Sequence, residues 1–102
     1  MPMRVIALAN LKAFWERSPG HQDAKEPTLV WYRHVLKVDW ASPADVKAPF
    51  GSASILKDGR VVFNIAGKKY RQVVWINYAY RVVYVRFIGT RAQYDRIDAQ
   101  TI

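Results

Sequence analysis

Three runs rich in β-branched and aromatic residues, 60–65, 70–77 and 81–88, follow one another with gaps of only a few residues. This succession constrains the fold more than any other feature, because gaps so short cannot hold crossover helices and the runs must be antiparallel neighbours. Asp58-Gly59 before the first run, Gly67-Lys68 after it and Ala79-Tyr80 before the last supply the turns. Ser54-Ile55-Leu56, on the far side of Asp58-Gly59, completes a hairpin with the first run.

The N-terminal half is written at a different period. Residues 4–8 read as a short strand running into a helix, on which Leu8, Leu11, Phe14 and Trp15 form one stripe before Ser18-Pro19-Gly20 ends it. A second helix is expected from near Asp23 to about Val38, with Leu29, Tyr32, Val35 and Leu36 inward and Pro27 in its first turn. Between Trp40 and Gly51 turn formers dominate, with room for one helical turn after Ser42. Thr90, or Gly89-Thr90, caps a last helix over 92–98. The expected fold class is α+β, in the order β-α-α-β-β-β-α, with helices on one face of a small, mostly antiparallel sheet.

A chain of 102 residues holds a single domain, 1–102, and its 51% apolar content suffices for a core, which excludes intrinsic disorder. With no cysteine there is no disulfide, thiolate nucleophile or cysteine-bound zinc. The apolar run 5–9 is too short for a secretory segment or a membrane span, so a cytoplasmic protein is expected. The formal charge is +8, of which residues 57–102, with 9 basic and 3 acidic side chains, carry +6. Such a field attracts polyanions, nucleic acid first and an acidic protein second.

Strand alternation shows where that charge sits. Val61, Phe63, Ile65, Val74, Ile76, Val83, Val85 and Phe87 make one apolar face for the helices. The opposite face collects Arg60, Asn64, Arg71, Trp75, Tyr84 and Arg86, guanidinium groups interleaved with rings. Single-stranded RNA suits such a face, since phosphates pair with arginine and splayed bases stack on aromatics. A one-sided antiparallel sheet also shows polar residues to water with no ligand at all, so the pattern alone leaves both open. His21 and His34 have no companion at metal-ligand spacing, no phosphate-cradling glycine loop or Ser-His-Asp grouping occurs, and Asp95 and Asp98 sit among arginines as in surface ion pairing. No metal or cofactor is expected.

Asp39-Trp40, Pro43-Ala44-Asp45-Val46-Lys47, the stretch Val-Phe-Asn-Ile-Ala-Gly-Lys-Lys-Tyr-Arg at 62–71 and Thr-Arg-Ala-Gln-Tyr-Asp at 90–95 together resemble the HigB-type toxins of bacterial type II toxin-antitoxin systems. The likeness extends over nearly the whole chain. It implies a RelE-like mRNA interferase, an endoribonuclease that cuts messenger RNA, commonly on the ribosome, inhibits translation and is neutralised by a helix-turn-helix antitoxin of the HigA type. The alternative it leaves is a catalytically degenerate module that binds RNA or antitoxin without cutting. Two positions depart from the family pattern: Lys68 stands where many relatives have asparagine, and Arg91 where they have histidine. An arginine, always protonated, cannot be a general base.

The resemblance implies a site of Arg71, Tyr94, Arg91 and Asp95, with Asn64, Lys68 and Lys69 beside it. Cleavage by 2′-hydroxyl attack needs a gripped phosphate, a proton acceptor and support for the leaving oxygen. Arg71 is expected on the scissile phosphate, Lys68 and Lys69 on neighbouring ones, and Arg91 on phosphate or leaving group. Tyr94 is the first candidate acceptor, Asp95 the second, and a base from RNA or ribosome the third. Arg60, Trp75, Tyr84 and Arg86 would hold flanking RNA.

Overall fold

The computed structural model describes residues 2–102. Strand β1 (Arg4–Ile6) leads into helix α1 (Leu8–Arg17), a 3-10 segment (Pro19–Ala24), α2 (Lys25–Val35) and α3 (Pro43–Lys47). Strands β2 (Ser54–Ile55), β3 (Arg60–Ile65), β4 (Tyr70–Asn77) and β5 (Val82–Thr90) follow, then α4 (Arg91–Tyr94). Among the described residues the strands form one sheet of order β1-β5-β4-β3-β2, antiparallel except where β1 lies parallel to β5. The class is α+β, as the sequence predicts.

The helices form because their apolar positions repeat at helical spacing and meet the sheet's apolar face. Leu11 and Trp15, one turn apart on α1, are buried, as are Thr28, Trp31 and Val35 on α2. They close over Val61, Phe63, Ile65, Val74, Ile76, Val83 and Val85. Each such large side chain contributes roughly 1.5–3 kcal/mol on burial. Trp15, Trp31 and Trp40 all belong to this core, and Phe63 is its hub, with Trp31 at 5.4 Å, Phe50 at 5.1 Å and Trp40 stacked at 6.3 Å.

Several details differ from expectation. The chain after α1 does not enter α2 at Asp23: Pro19 opens a 3-10 segment, because the Asp23 carboxylate is held by the Tyr70 hydroxyl and the Lys69 ammonium. Helix α2 stops at Val35, and Leu36, expected inward, is exposed. The helical turn expected after Ser42 is present, closed by a capping box in which Asp45 Oδ2 accepts from the Ser42 amide at 3.2 Å. Helix α4 ends at Tyr94, four residues short of the expected end.

The largest change comes from a bulge in β5. Val73 pairs with Phe87 but Val74 pairs with Val85, so Arg86 is an extra residue and the alternation after it is reversed. Phe87 therefore leaves the helix side and Ile88 takes its place there. Nor is the second face wholly open, because Ile97, Ala99 and Ile102 fold back over Val62, Val73 and Phe87 as a small second core.

Candidate functional site

Register divides the second face into three rows across β3, β4 and β5. Asn64, Arg71 and Gly89 make the first, Val62, Val73 and Phe87 the second, and Arg60, Trp75 and Tyr84 the third. The middle row is the one under the C-terminal segment. The outer rows, four residues apart on β4, are roughly 13 Å from each other.

The first row adjoins the β3–β4 turn and α4. Helix α4 begins where it does because Thr90 caps it: the Gln93 amide donates to Thr90 Oγ1 at 3.2 Å, and the Thr90 amide to Gln93 Oε1 at 2.8 Å. That cap swings Tyr94 back over the sheet, where the Arg71 guanidinium lies 4.9 Å from its ring centroid. Arg91, one turn before Asp95, pairs with it at 3.6 Å, with both side chains largely exposed. Of the expected site residues, Arg71 and Tyr94 are thus in contact, while Arg91 and Asp95 form a second, largely exposed pair.

The polar atoms of this row are incompletely satisfied. Asn64 donates from Nδ2 to the Ser52 carbonyl at 3.4 Å, but its Oδ1 and the Nε of Arg71 are buried without a hydrogen-bond partner in the chain. Among the described residues no carboxylate pairs with Arg71. An arginine guanidinium with no carboxylate partner can receive an anion, whereas the unpartnered Asn64 Oδ1 is an acceptor and calls for a donor such as a hydroxyl.

The two turn lysines separate. Lys69 is held by Asp23, and its ammonium followed by the Tyr70 hydroxyl keeps that carboxyl below its usual range. Tyr70 is pushed up by burial and by Asp23. Lys68 is exposed on the turn.

The third row is a different environment. Trp75 stacks on Tyr84 at 5.1 Å and donates from Nε1 to the Asp58 carbonyl at 2.7 Å, while the Arg86 guanidinium lies 5.9 Å from the Tyr84 ring. Arg60 donates to the Ile102 main-chain oxygen from Nε at 3.2 Å and from Nη2 at 3.1 Å, so its guanidinium anchors the C-terminal segment.

Sequence inspection named Gly89 only as part of a possible cap and missed Gln93. A Cβ at Gly89 would meet Phe87 Cζ at 2.5 Å and Gln93 Oε1 at 2.7 Å, so glycine is what lets α4 approach the sheet. Its signal was a glycine inside a strand just before a capping threonine. His21 stacks on Phe14 at 4.4 Å and His34 meets Phe50 edge-on at 5.2 Å, both as packing residues. Among the described residues no three His, Cys, Asp or Glu side chains gather where they could hold a metal ion, and no helix is long and apolar enough to cross a membrane.

A mixed α+β domain with, among the described residues, four α-helices and an open five-stranded sheet is of the RelE-like class. Residues 24–97 match the model of the HigB toxin family, described as the RelE-like toxic component of a toxin-antitoxin system, and the chain belongs to that family. It is accordingly a toxin, and its partner is an antitoxin. The matched span includes the whole Asn64–Arg71–Tyr94 cluster. A comparison with curated proteins finds no match.

Proposed function

We propose that this toxin is an endoribonuclease that cleaves messenger RNA, on the ribosome, in the cytoplasm, and that a helix-turn-helix antitoxin of the HigA type restrains it. The observation that carries this reading is the unpaired Arg71 guanidinium set over Tyr94 in one row with Asn64.

In the proposed reaction the 2′-oxygen attacks the adjacent phosphorus, a P–O bond forms, and the bond to the 5′-oxygen breaks, the departing oxygen taking a proton from water, to leave a cyclic phosphate and a 5′-hydroxyl. Arg71 neutralises the charge gathering on the non-bridging oxygens, the term that usually dominates such catalysis. Tyr94 accepts the 2′-hydroxyl proton. Arg91, on the exposed side of α4, supports the leaving oxygen, and Asp95 holds Arg91. Lys68 meets a neighbouring phosphate more readily than Lys69, whose charge is engaged by Asp23. Trp75, Tyr84 and Arg86 lie where flanking nucleotides stack, and Arg60 acts there through its hold on the C-terminal segment.

The test is induced expression of the wild-type chain beside Arg71→Ala and Tyr94→Phe, with messenger RNA ends mapped and the purified proteins assayed for RNA binding. Growth arrest with new internal cuts is expected for the wild type. Arg71→Ala should lower cleavage about 10²–10³-fold, as loss of one charge-stabilising donor does. Tyr94→Phe should lose cleavage with RNA affinity retained; full activity there would move the proton acceptor to Asp95 or to the ribosome. Intact transcripts with the wild type bound to RNA would make the chain a binding module.

A further inference from the structure

Strand β5 has a neighbour on both sides only as far as Tyr84. Strand β1 pairs with Val82, Val83 and Tyr84 and then turns away into α1, and no described strand lies alongside the rest of that edge. Four consecutive β5 residues, 85–88, line one groove of about 260 Å³ there, and α1 forms its other wall through Ala13, Phe14 and Arg17. The bulge at Arg86 interrupts the alternation here, and with β1 absent beyond Tyr84 the groove lies between this stretch of β5 and α1. At that edge the main-chain groups directed away from β4 are unpaired, and such an edge is a template for another strand.

We propose that this edge is the docking site for an extended acidic and apolar segment of the antitoxin, added to the sheet as a sixth strand beside β5. Arg17 and Arg86 are the charged side chains of the groove, and no carboxylate lines it. A segment alternating acidic and apolar residues would meet both arginines with one set of side chains and Phe14, Val85 and Ile88 with the other. The volume falls below the roughly 300–1,000 Å³ of a small-molecule pocket. Nucleic acid fits less well, because both rings that line the groove are already packed, Phe14 stacked on His21 at 4.4 Å and Phe87 against the second core of Val62, Val73 and Ala99. The strand continues from the groove through Gly89 and Thr90 to Arg91, so an occupant a few residues longer runs toward the Arg71–Tyr94 cluster. The proposal is independent of the nuclease reading, since antitoxin binding requires no cleavage.

Amide hydrogen exchange on the full-length toxin tests it, measured alone, with the purified antitoxin encoded beside it, and with oligouridylate. The antitoxin should slow exchange of amides between 85 and 90 at least tenfold. Arg17→Glu should weaken antitoxin binding tenfold or more and Arg17→Lys should restore it, with RNA binding unchanged in both. Ala13→Glu, which sets a carboxylate into the groove, should act like Arg17→Glu. Unchanged exchange on antitoxin binding, wild-type affinity for Arg17→Glu, or protection by oligouridylate in place of antitoxin would each overturn the proposal. If a variant fails to fold, the exchange measurement on the wild type still decides.

Discussion

Gly89 sits where the last strand must come close enough to α4 for Tyr94 to cover Arg71. With Phe87 and Gln93 both inside 3 Å of any added Cβ, a side chain there forces the cap and the strand apart. Gly89→Ala should destabilise the fold by about 1–3 kcal/mol, the usual range for overpacking, and should lower RNA cleavage by more than that loss of folded protein accounts for. Urea denaturation and cleavage measured on the same preparation separate the two effects. Gly89 shows how far the residue scale is legible. Arg71 and Tyr94 were found through the likeness of 62–71 and 90–95 to a toxin family, whereas Gly89 and Gln93 matter through contacts that no run of sequence displays. Arg60 is the converse case: its charge and position on the second face were read correctly, but its partner is a main-chain oxygen 42 residues away.

At the scale of elements, the 3-10 segment between α1 and α2 is tied to the sheet by Asp23. The Lys69 ammonium and then the Tyr70 hydroxyl hold its carboxyl below the usual 3.8. A carboxylate whose pKa is depressed on folding stabilises the native state above its unfolded value, and the contribution disappears as pH falls through the lower folded value. Asp23→Asn should therefore be less stable than wild type at pH 7, and the difference should begin to shrink near pH 3.8 and vanish only below the lower folded value, measured as urea midpoints across that range. Lys69, raised above 10.5 by the same bond, keeps its share while Asp23 is ionised and loses it on the alkaline side only as pH rises through its raised value. The elements themselves were largely legible: both long helices, the hairpin at Asp58-Gly59 and the three successive strands follow from period and turn chemistry. The boundaries were not, because Leu36 is left exposed by the fold and Ile97 packs into the second core from a non-helical segment.

For the whole molecule, a charge of +8 concentrated in residues 57–102 makes association with RNA a counterion-release process. A plot of log affinity for single-stranded RNA against log salt should be linear, with a slope of about −0.7 for each phosphate neutralised. Arg71→Ala and Lys68→Ala should each reduce that slope by roughly one contact, and a flat plot would contradict the electrostatic account. Lys69→Ala should change it less, because Asp23 already holds that charge.

By itself the sequence determined an α+β domain, an antiparallel meander with one apolar and one basic-aromatic face, and a family likeness that places Asn64, Arg71 and Tyr94 together. These are local properties, since periodicity, turn residues and motif order are written along the chain. Only the tertiary structure decided that Arg86 is a bulge that sends Phe87 to the opposite face, and that residues 97–102 cover the middle of the supposedly open sheet. It alone decided, too, that β1 stops at Ile6, opposite Tyr84, and leaves the rest of β5 as an edge. Each depends on which distant segments meet. One extra residue inverts a strand's alternation without altering its composition, and a strand's edge is free or paired according to where its neighbour ends.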